Sequence, residues 1–262
     1  MERPRPADRA RPRSFLTVRA ASAVCAALVG VGATVGCASA PPPAPVPGAW
    51  RPVGNAYVLG ATLPPAEAAD EVAYYRERAA ALAAPTNVEI ARTDFARLRR
   101  GRLYLTQGLR DRETAELGRR LTTAFSGGDG PQVLDLTGQI LARDQTDIRA
   151  HALRGMTLRR GGRTIEADAQ HEIVISLVQS IVQGGDGLGF TTAWTVFDPN
   201  EEYEVLRVEG CMPRSQGQAP QGDRWYDVVH ARRFSDGSPC DAYFDVTEMM
   251  AVAARRFPAR PR

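Results

Sequence analysis

Apolar residues recur at helical spacing between residues 65 and 182, and short β-branched and aromatic runs separated by turn residues follow from about residue 190. The first pattern predicts α-helices and the second predicts β-strands. In the helical part, Leu117, Leu121 and Phe125 form one apolar face, and Val133, Leu136, Ile140 and Leu141 form the face of the next helix. We therefore expect antiparallel helix pairs that bury these faces against each other.

The following helix pair has the pattern of a tetratricopeptide-like unit, in which small residues let two helices approach and a large residue fills the gap. These positions are Ala150, Gly155, Leu158 and Ala167. Two such units are too few to form an independent solenoid. We therefore expect them to pack on the C-terminal part of the chain.

Four runs in the C-terminal part predict strands: "TTAWTVF", "EYEVLRVEG", "RWYDVVHARR" and "CDAYFDVT". Their turn-rich connectors favour an antiparallel meander with one face on the helices. The predicted fold class is α+β, with tetratricopeptide-like antiparallel helix pairs packed on a C-terminal four-stranded antiparallel sheet and a final helix. We expect one domain over residues 61–257, helical over 65–182, mainly β over 190–247 and helical over 248–256, before a tail at 258–262.

A Gly-Gly-Asp-Gly core occurs twice, at 126–131 as "SGGDGP" and at 183–188 as "QGGDGL". A dinucleotide-binding glycine loop follows a strand and opens a helix, whereas the second copy follows a helix and precedes a strand. Both copies are typical of helix ends, where glycine adopts left-handed geometry. Asp186 of the second copy is a candidate for lining a cleft.

The N-terminal residues account for the positive net charge and predict where the protein is located. The chain has a net charge of +3, but its first 36 residues hold six arginines and two acidic residues, which leaves a net charge of −1 elsewhere. No basic surface for nucleic acid is therefore expected. Arginines, an apolar run and small residues in this order predict a signal peptide over 1–36.

"TVGC" at the end of the apolar run resembles a bacterial lipobox, which predicts lipid attachment at Cys37 and a proline-rich tether over 37–60. The alternative is cleavage behind Ala40, which would give a soluble periplasmic protein. In either case the remaining pair, Cys211 and Cys240, is in a compartment that permits disulfides. We expect the two to be bridged, and two separate thiols are the alternative.

No motif predicts a cofactor. The chain contains no lysine, which excludes Schiff-base chemistry and a lysine-dependent phosphate loop. His151, His171 and His230 lack metal-ligand spacing, so we expect interior, hydrogen-bonded histidines and no metal site. The acidic run "DPNEEYE" predicts a solvated turn, and its alternative is a pair of carboxylates for acid and base catalysis. Tyr203 is expected to anchor the sheet face.

The ordered stretches "DFARLR", "RDQTDIRAHALRGMTLRRGG", "HEIVISLVQSIVQGGDG", "EEYEVL", "YDVV" and "AYFDVT" resemble the bacterial family called domain of unknown function 4919. The resemblance covers roughly residues 90 to 250. It implies an exported α+β protein, with no activity, cofactor or catalytic residue attached to it. The stretch "QGGDGLGFTTAW" departs from the serine-flanked version of the family.

These patterns together predict a lipid-anchored protein of the bacterial cell envelope that faces the periplasm or the surface. We expect an interaction module for an envelope protein, peptide or glycan, and the candidate cleft residues are Asp186, Glu201, Glu202, Tyr203 and Asp227. The alternative is an envelope hydrolase that uses carboxylates near Glu201, Glu202 and Asp227. A deep pocket with converging carboxylates would favour the hydrolase, and a shallow groove lined by Arg and Tyr would favour binding.

Overall fold

The computed structural model describes residues 62–108 and 112–256. The predicted signal peptide, Cys37, the tether and the tail at 258–262 lie outside these ranges. Within them, no helix combines the length and the hydropathy that a membrane crossing requires.

Seven helices of the described ranges precede the sheet, and they fill the predicted helical part from residue 65 to residue 182. They are α1 (Pro65–Leu82), α2 (Asn87–Ala91), α3 (Phe95–Thr106), α4 (Arg112–Ser126), α5 (Gly130–Arg143), α6 (Ile148–Arg160) and α7 (Thr164–Val182). Aspartates cap three of them, because Asp94, Asp129 and Asp147 accept hydrogen bonds from backbone N–H groups in the first turns of α3, α5 and α6. The helices α4 and α5 pack as one pair, and α6 and α7 pack as the next.

The C-terminal part contains four strands and two further helices in the described ranges. They are β1 (Trp194–Thr195), α8 (Pro199–Val208), β2 (Cys211–Gln221), β3 (Arg224–Arg233), β4 (Ala242–Asp245) and α9 (Thr247–Arg256). The fold class α+β and the final helix are therefore confirmed.

The sheet is mixed, and the prediction of an antiparallel sheet is wrong in this respect. The strand order is β1-β4-β3-β2. The strands β2, β3 and β4 are antiparallel neighbours, whereas β1 pairs in parallel with β4, with Trp194 opposite Phe244. The parallel pair arises because the chain leaves β1, forms α8 and the β2–β3 hairpin, and returns to the β1 edge only with β4.

The stretch "EYEVLRVEG" is a second correction, because it forms α8 and not a strand. Asp198 caps this helix by accepting from the N–H of Asn200, and Pro199 occupies its first turn. Proline is favoured there, since the first N–H of a helix has no partner within the helix. The sheet still has four strands, because β2 forms in the stretch that was predicted to be a connector.

Both glycine loops end helices, as predicted. Gly128 has a φ of +73° after α4, and Asp129 then caps α5. In the second copy a Cβ on Gly185 would lie 2.1 Å from the carbonyl oxygen of Thr192. Only glycine therefore lets the chain turn this closely from α7 into β1.

The interior is divided into two apolar clusters. The larger cluster joins α1, α3 and α7 to the sheet and to α8, with Leu98, Leu177 and Phe244 completely buried. The smaller cluster lies among α4, α5 and α6 and contains Leu117, Leu121 and all four residues of the predicted α5 face. The surface between these two clusters carries the candidate site.

Candidate functional site

The first turn of α8 places two glutamates in the protein interior. Glu201 is 5% exposed and Glu202 is fully buried. The expectation of a solvated turn for "DPNEEYE" is therefore wrong at these two positions. The physical reason is the helix itself, which directs its first turn toward α3 on one side and toward β2 and β3 on the other.

Glu201 forms a buried ion pair with Arg99 of α3. The guanidinium donates from Nε to Oε1 at 2.7 Å and from Nη2 to Oε2 at 2.8 Å. Arg99 also donates to the carbonyl oxygens of Ser180 and Thr195, and Phe197 donates its N–H to Glu201. This network joins α3, α7, β1 and α8, so Glu201 has a structural role.

Glu202 and Asp227 form a buried carboxyl pair, which Gln216 of β2 bridges. The amide Nε2 of Gln216 donates to Oε2 of Glu202 at 3.0 Å and to Oδ2 of Asp227 at 2.8 Å. The hydroxyl of Tyr203 donates to Oε1 of Gln216 at 2.7 Å. Three of the predicted cleft residues are thus brought together, and Gln216 is the member that the sequence analysis missed.

Burial, the charge of Asp227 and a hydrogen bond with it together raise the pKa of Glu202 to about 9, which favours its protonated form at neutral pH. Oε1 of Glu202 and Oδ1 of Asp227 are buried and have no hydrogen-bond partner in the described part of the chain. A protonated Glu202 can donate a hydrogen bond to Asp227, and this hydrogen bond stabilises the protonated form of Glu202.

Asp186 does not join this pair. Its carboxylate accepts from the Thr192 hydroxyl at 2.6 Å and from the N–H of Leu188 at 3.0 Å, within the second glycine loop. The hydrogen bond from Thr192 is the main cause of the lowered pKa of Asp186. Its role in this structure is to hold the turn.

A groove of about 730 Å³ lies between α4 and the start of α6 on one wall and α8 and the start of β2 on the other. We call it the α4–α8 groove. Tyr203 lines it, and its hydroxyl also contacts the sheet by donating to Gln216 of β2. Glu202 and Asp227 are not among its lining residues.

The rim of the groove carries large apolar side chains that face solvent. Tyr203 is 38% exposed, Met212 is 37% exposed and Phe234 is 47% exposed. Isolated exposed apolar residues are ordinary, but a contiguous set of them marks an interaction surface. The groove volume also lies within the range of pockets that bind ligands.

Three arginines line the same groove: Arg119, Arg149 and Arg207. Arg207 donates to Glu204. Burial raises the pKa of Glu204, and the charges of Arg207 and Arg149 lower it by less. The groove is thus lined by Arg and Tyr, and five acidic side chains also line it: Asp144, Asp147, Asp198, Glu201 and Glu204. The Arg and Tyr lining agrees with the expectation for binding, whereas the lining by Glu201 belongs to the hydrolase alternative.

The histidines differ from one another. His151 is buried between Gln170 and the carbonyl oxygen of Gln145, and burial lowers its pKa, so the interior prediction is confirmed for it. His171 is half-buried, whereas His230 is exposed beside Asp241, which contradicts the interior prediction. In the described ranges, no three His, Cys, Asp or Glu side chains are grouped to hold a metal ion.

Cys211 and Cys240 lie within disulfide distance, with their Cα atoms 6.4 Å apart, so the predicted pair is confirmed. Cys211 begins β2, and Cys240 lies in the connection between β3 and β4. Cys211 therefore holds its neighbour Met212 at the rim of the α4–α8 groove, and Phe234 is held there by its N–H, which donates to the carbonyl oxygen of Gly210.

No protein family, curated protein sequence or solved structure matches this chain.

Proposed function

We propose that the protein is an exported, lipid-anchored component of the bacterial cell envelope that binds a partner in the α4–α8 groove. The observation that carries the binding proposal is the apolar rim. Tyr203, Met212 and Phe234 come from a helix, a strand and a loop, yet they expose their side chains around one concave surface. Burying such side chains against a partner supplies a hydrophobic driving force for association.

The envelope location rests on the N-terminal sequence, and the Cys211–Cys240 pair supports it, because disulfides persist in oxidising compartments. We also propose that the two helix pairs are tetratricopeptide-like, and that the resemblance to domain of unknown function 4919 reflects relationship. Both proposals rest on the sequence stretches quoted for them.

Cell fractionation tests the lipid anchor. Cys37→Ser removes the acceptor thiol, and we expect the variant to leave the membrane fraction for the soluble fraction of the envelope. Cys25→Ser, in the predicted signal peptide, is the matched control and should leave the protein in membranes. Continued tight membrane retention of Cys37→Ser would contradict the proposal.

Affinity capture of the tagged full-length protein from its native envelope tests the groove. We expect a protein or peptide that accompanies the wild type to be lost with Phe234→Ser and with Met212→Ser. Ile165→Ser is the control, since Ile165 on α7 is 85% exposed and lies outside the groove. A partner retained equally by the wild type and the groove variants would overturn the proposal.

Hydrolysis by the carboxyl pair is the second candidate, because a protonated Glu202 beside Asp227 has the unequal ionisation of an acid and base pair. A substrate could reach the pair only if Gln216 moved away from it. Gln216→Ala should then raise any hydrolytic activity of the purified protein, and Glu202→Gln should abolish it. An activity unchanged by both variants would exclude the pair as its source.

A further inference from the structure

We propose that the carboxyl pair of Glu202 and Asp227 is a proton switch for the α4–α8 groove, in which loss of the proton that the pair shares displaces Gln216 and, with it, the Tyr203 side chain. The inference rests on the proposed function where it concerns a groove ligand, and it adds regulation by pH to that site. The switch itself involves only side chains of the described structure.

The pair requires a proton because the protein offers it too few donors. Glu202 is fully buried and Asp227 is 4% exposed. The amide of Gln216 has two N–H donors, and it uses them for Oε2 of Glu202 and Oδ2 of Asp227. The two remaining oxygens, Oε1 and Oδ1, are buried without a partner among the described residues. A buried acceptor without a hydrogen bond is costly, and an acid proton between the two side chains is the donor that satisfies them.

The ionisable groups that act on Glu202 are acidic. Burial is the main cause of the raised pKa of Glu202, followed by Asp227 of β3 and then by Glu201 and Asp198 of α8. From β2, the facing group is the neutral amide of Gln216. Loss of the proton therefore adds a negative charge to a buried site that is already negative.

The arginines of the elements around α8 are directed to other partners. Arg99 of α3 pairs with Glu201, and Arg207 of α8 pairs with Glu204. Arg149 of α6 acts on Glu204 as well. Repulsion between the two charged members of the pair is therefore not compensated by a cation of these elements.

Gln216 connects the carboxyl pair to the groove. Its amide nitrogen bridges the two carboxyl groups while they lie side by side, and its Oε1 accepts from the hydroxyl of Tyr203 at 2.7 Å. Tyr203 follows Glu202 in α8 and lines the groove. Like charges on the pair favour its separation, and the amide cannot follow both carboxylates as α8 and β3 move apart. Tyr203 then loses its acceptor or moves with α8, and the groove wall changes.

NMR of the purified full-length protein with tyrosine labelled at 13Cζ tests the switch without a ligand. Tyr203→Phe identifies the Tyr203 resonance. We expect this resonance to shift with a midpoint near pH 9, at the pKa of Glu202. Ionisation of Tyr203 itself occurs at higher pH, because burial and the charges of Glu202 and Asp227 raise the pKa of its hydroxyl.

Removing either acid of the pair should abolish the shift near pH 9. Glu202→Gln and Asp227→Asn each leave one ionisable group, so the repulsion cannot arise. Glu209→Gln is the matched control and should keep the shift, since Glu209 is an exposed carboxylate at the end of the same helix. Thermal melts at pH 7 show which variants are folded, and one folded variant of the pair is sufficient for the test.

A partner captured through the groove provides the functional measurement. Its affinity for the wild type should fall about tenfold between pH 7.5 and pH 9.5, because its binding is coupled to the proton. For Glu202→Gln the affinity should be the same at both pH values.

Failure of the switch and failure of the groove proposal give different results. A Tyr203 resonance without a shift near pH 9, or with the same shift in a folded Glu202→Gln or Asp227→Asn variant, would overturn the switch and leave the groove proposal standing. A shift that both acids control, together with a partner that depends on neither Phe234 nor Met212, would support the switch and overturn the groove proposal.

Discussion

Two neighbouring glutamates in α8 are stabilised in different ways, although both are buried. Glu201 is paired with the guanidinium of Arg99, which donates two hydrogen bonds to it. No cation of the described residues acts on Glu202, so burial and Asp227 favour its protonated form. A buried carboxyl group requires either a counter-charge or a proton. Glu201 has the counter-charge, and the surroundings of Glu202 favour the proton.

Removing Arg99 tests the first case. Arg99→Met leaves Glu201 buried without its cation, and we expect a loss of about 3–5 kcal/mol in the free energy of unfolding. Arg99→Met combined with Glu201→Leu should recover most of it. The control is Arg119→Met, since the pair of Arg119 with Glu116 is more than half exposed and should change stability by less than about 1 kcal/mol. Equal losses for the buried and the exposed arginine in urea unfolding would contradict this interpretation.

Glu202→Gln tests the second case through the pH dependence of stability. The folded protein keeps the Glu202 proton up to a pH of about 9, whereas the unfolded chain releases it near the ordinary pKa of 4.5. Between these values the folded state binds more protons, so the free energy of unfolding falls as pH rises, by up to about 1.4 kcal/mol per pH unit. Gln cannot titrate, and the variant should therefore be more stable than the wild type at pH 8.

The measurement is urea unfolding of both proteins at pH 5.5, 7 and 8.5. The stability advantage of Glu202→Gln should grow across this series. Parallel pH profiles for the two proteins would show that Glu202 does not carry the proton.

At the scale of elements, sequence patterns predicted the helices before residue 182 and misread the region around residue 200. "EYEVLRVEG" resembles a strand because Val205, Leu206 and Val208 are apolar and two of them are β-branched. The helix signal lies just before it, where Asp198 is followed by a proline and, three residues after the aspartate, by Glu201. Weighing the cap before the apolar run would have predicted α8.

The strand β2 was harder to predict. It is an edge strand that contains Pro213, Gly217 and Pro220, residues that are tolerated at an edge and that weaken the sequence signal. The two-residue turn at Gly222 and Asp223, with a φ of +64° at the glycine, was the available hairpin signal.

The link between Glu202 and Asp227 through Gln216 depends on the packing of α8 against the β2–β3 hairpin. Its three members lie in three elements, and no spacing in the sequence encodes their contact. The sequence therefore supplied candidate residue types for the site, and only the fold decided which of them meet.

Gly118→Ala is the prediction that belongs to α4. The substitution improves helix propensity and meets no atom within 4 Å, so we expect the free energy of unfolding to rise by about 1 kcal/mol. Gly101→Ala is the opposite case, since its Cβ would collide with the Glu71 carbonyl oxygen and push α1 from α3. Urea unfolding should order the proteins as Gly118→Ala, wild type and Gly101→Ala. A destabilised Gly118→Ala would mean that the space at this position is needed by the protein itself.

For the whole molecule, the α4–α8 groove depends on how two parts of the chain are held together. Leu121 of α4, in one wall, belongs to the smaller apolar cluster, whereas Ile148 at the start of α6 and Cys211 at the start of β2 belong to the larger one. Cys211 lines the second wall, and its pairing with Cys240 ties the start of β2 to the connection before β4. The disulfide is therefore placed to fix the rim of the groove as well as to stabilise the fold.

Replacing both cysteines by serine separates these effects. A native disulfide that closes a loop contributes about 2–4 kcal/mol, so the double variant should unfold at lower urea concentration. Because the bridged Cys211 lines the groove next to Met212, binding of a groove ligand should weaken even under conditions in which the variant is fully folded. Intact mass after alkylation without reductant provides the chemical check, since neither cysteine of the wild type should be labelled. Labelling of both, or a double variant as stable as the wild type, would show that the two cysteines contribute as separate thiols and that the groove rim is held by the sheet alone.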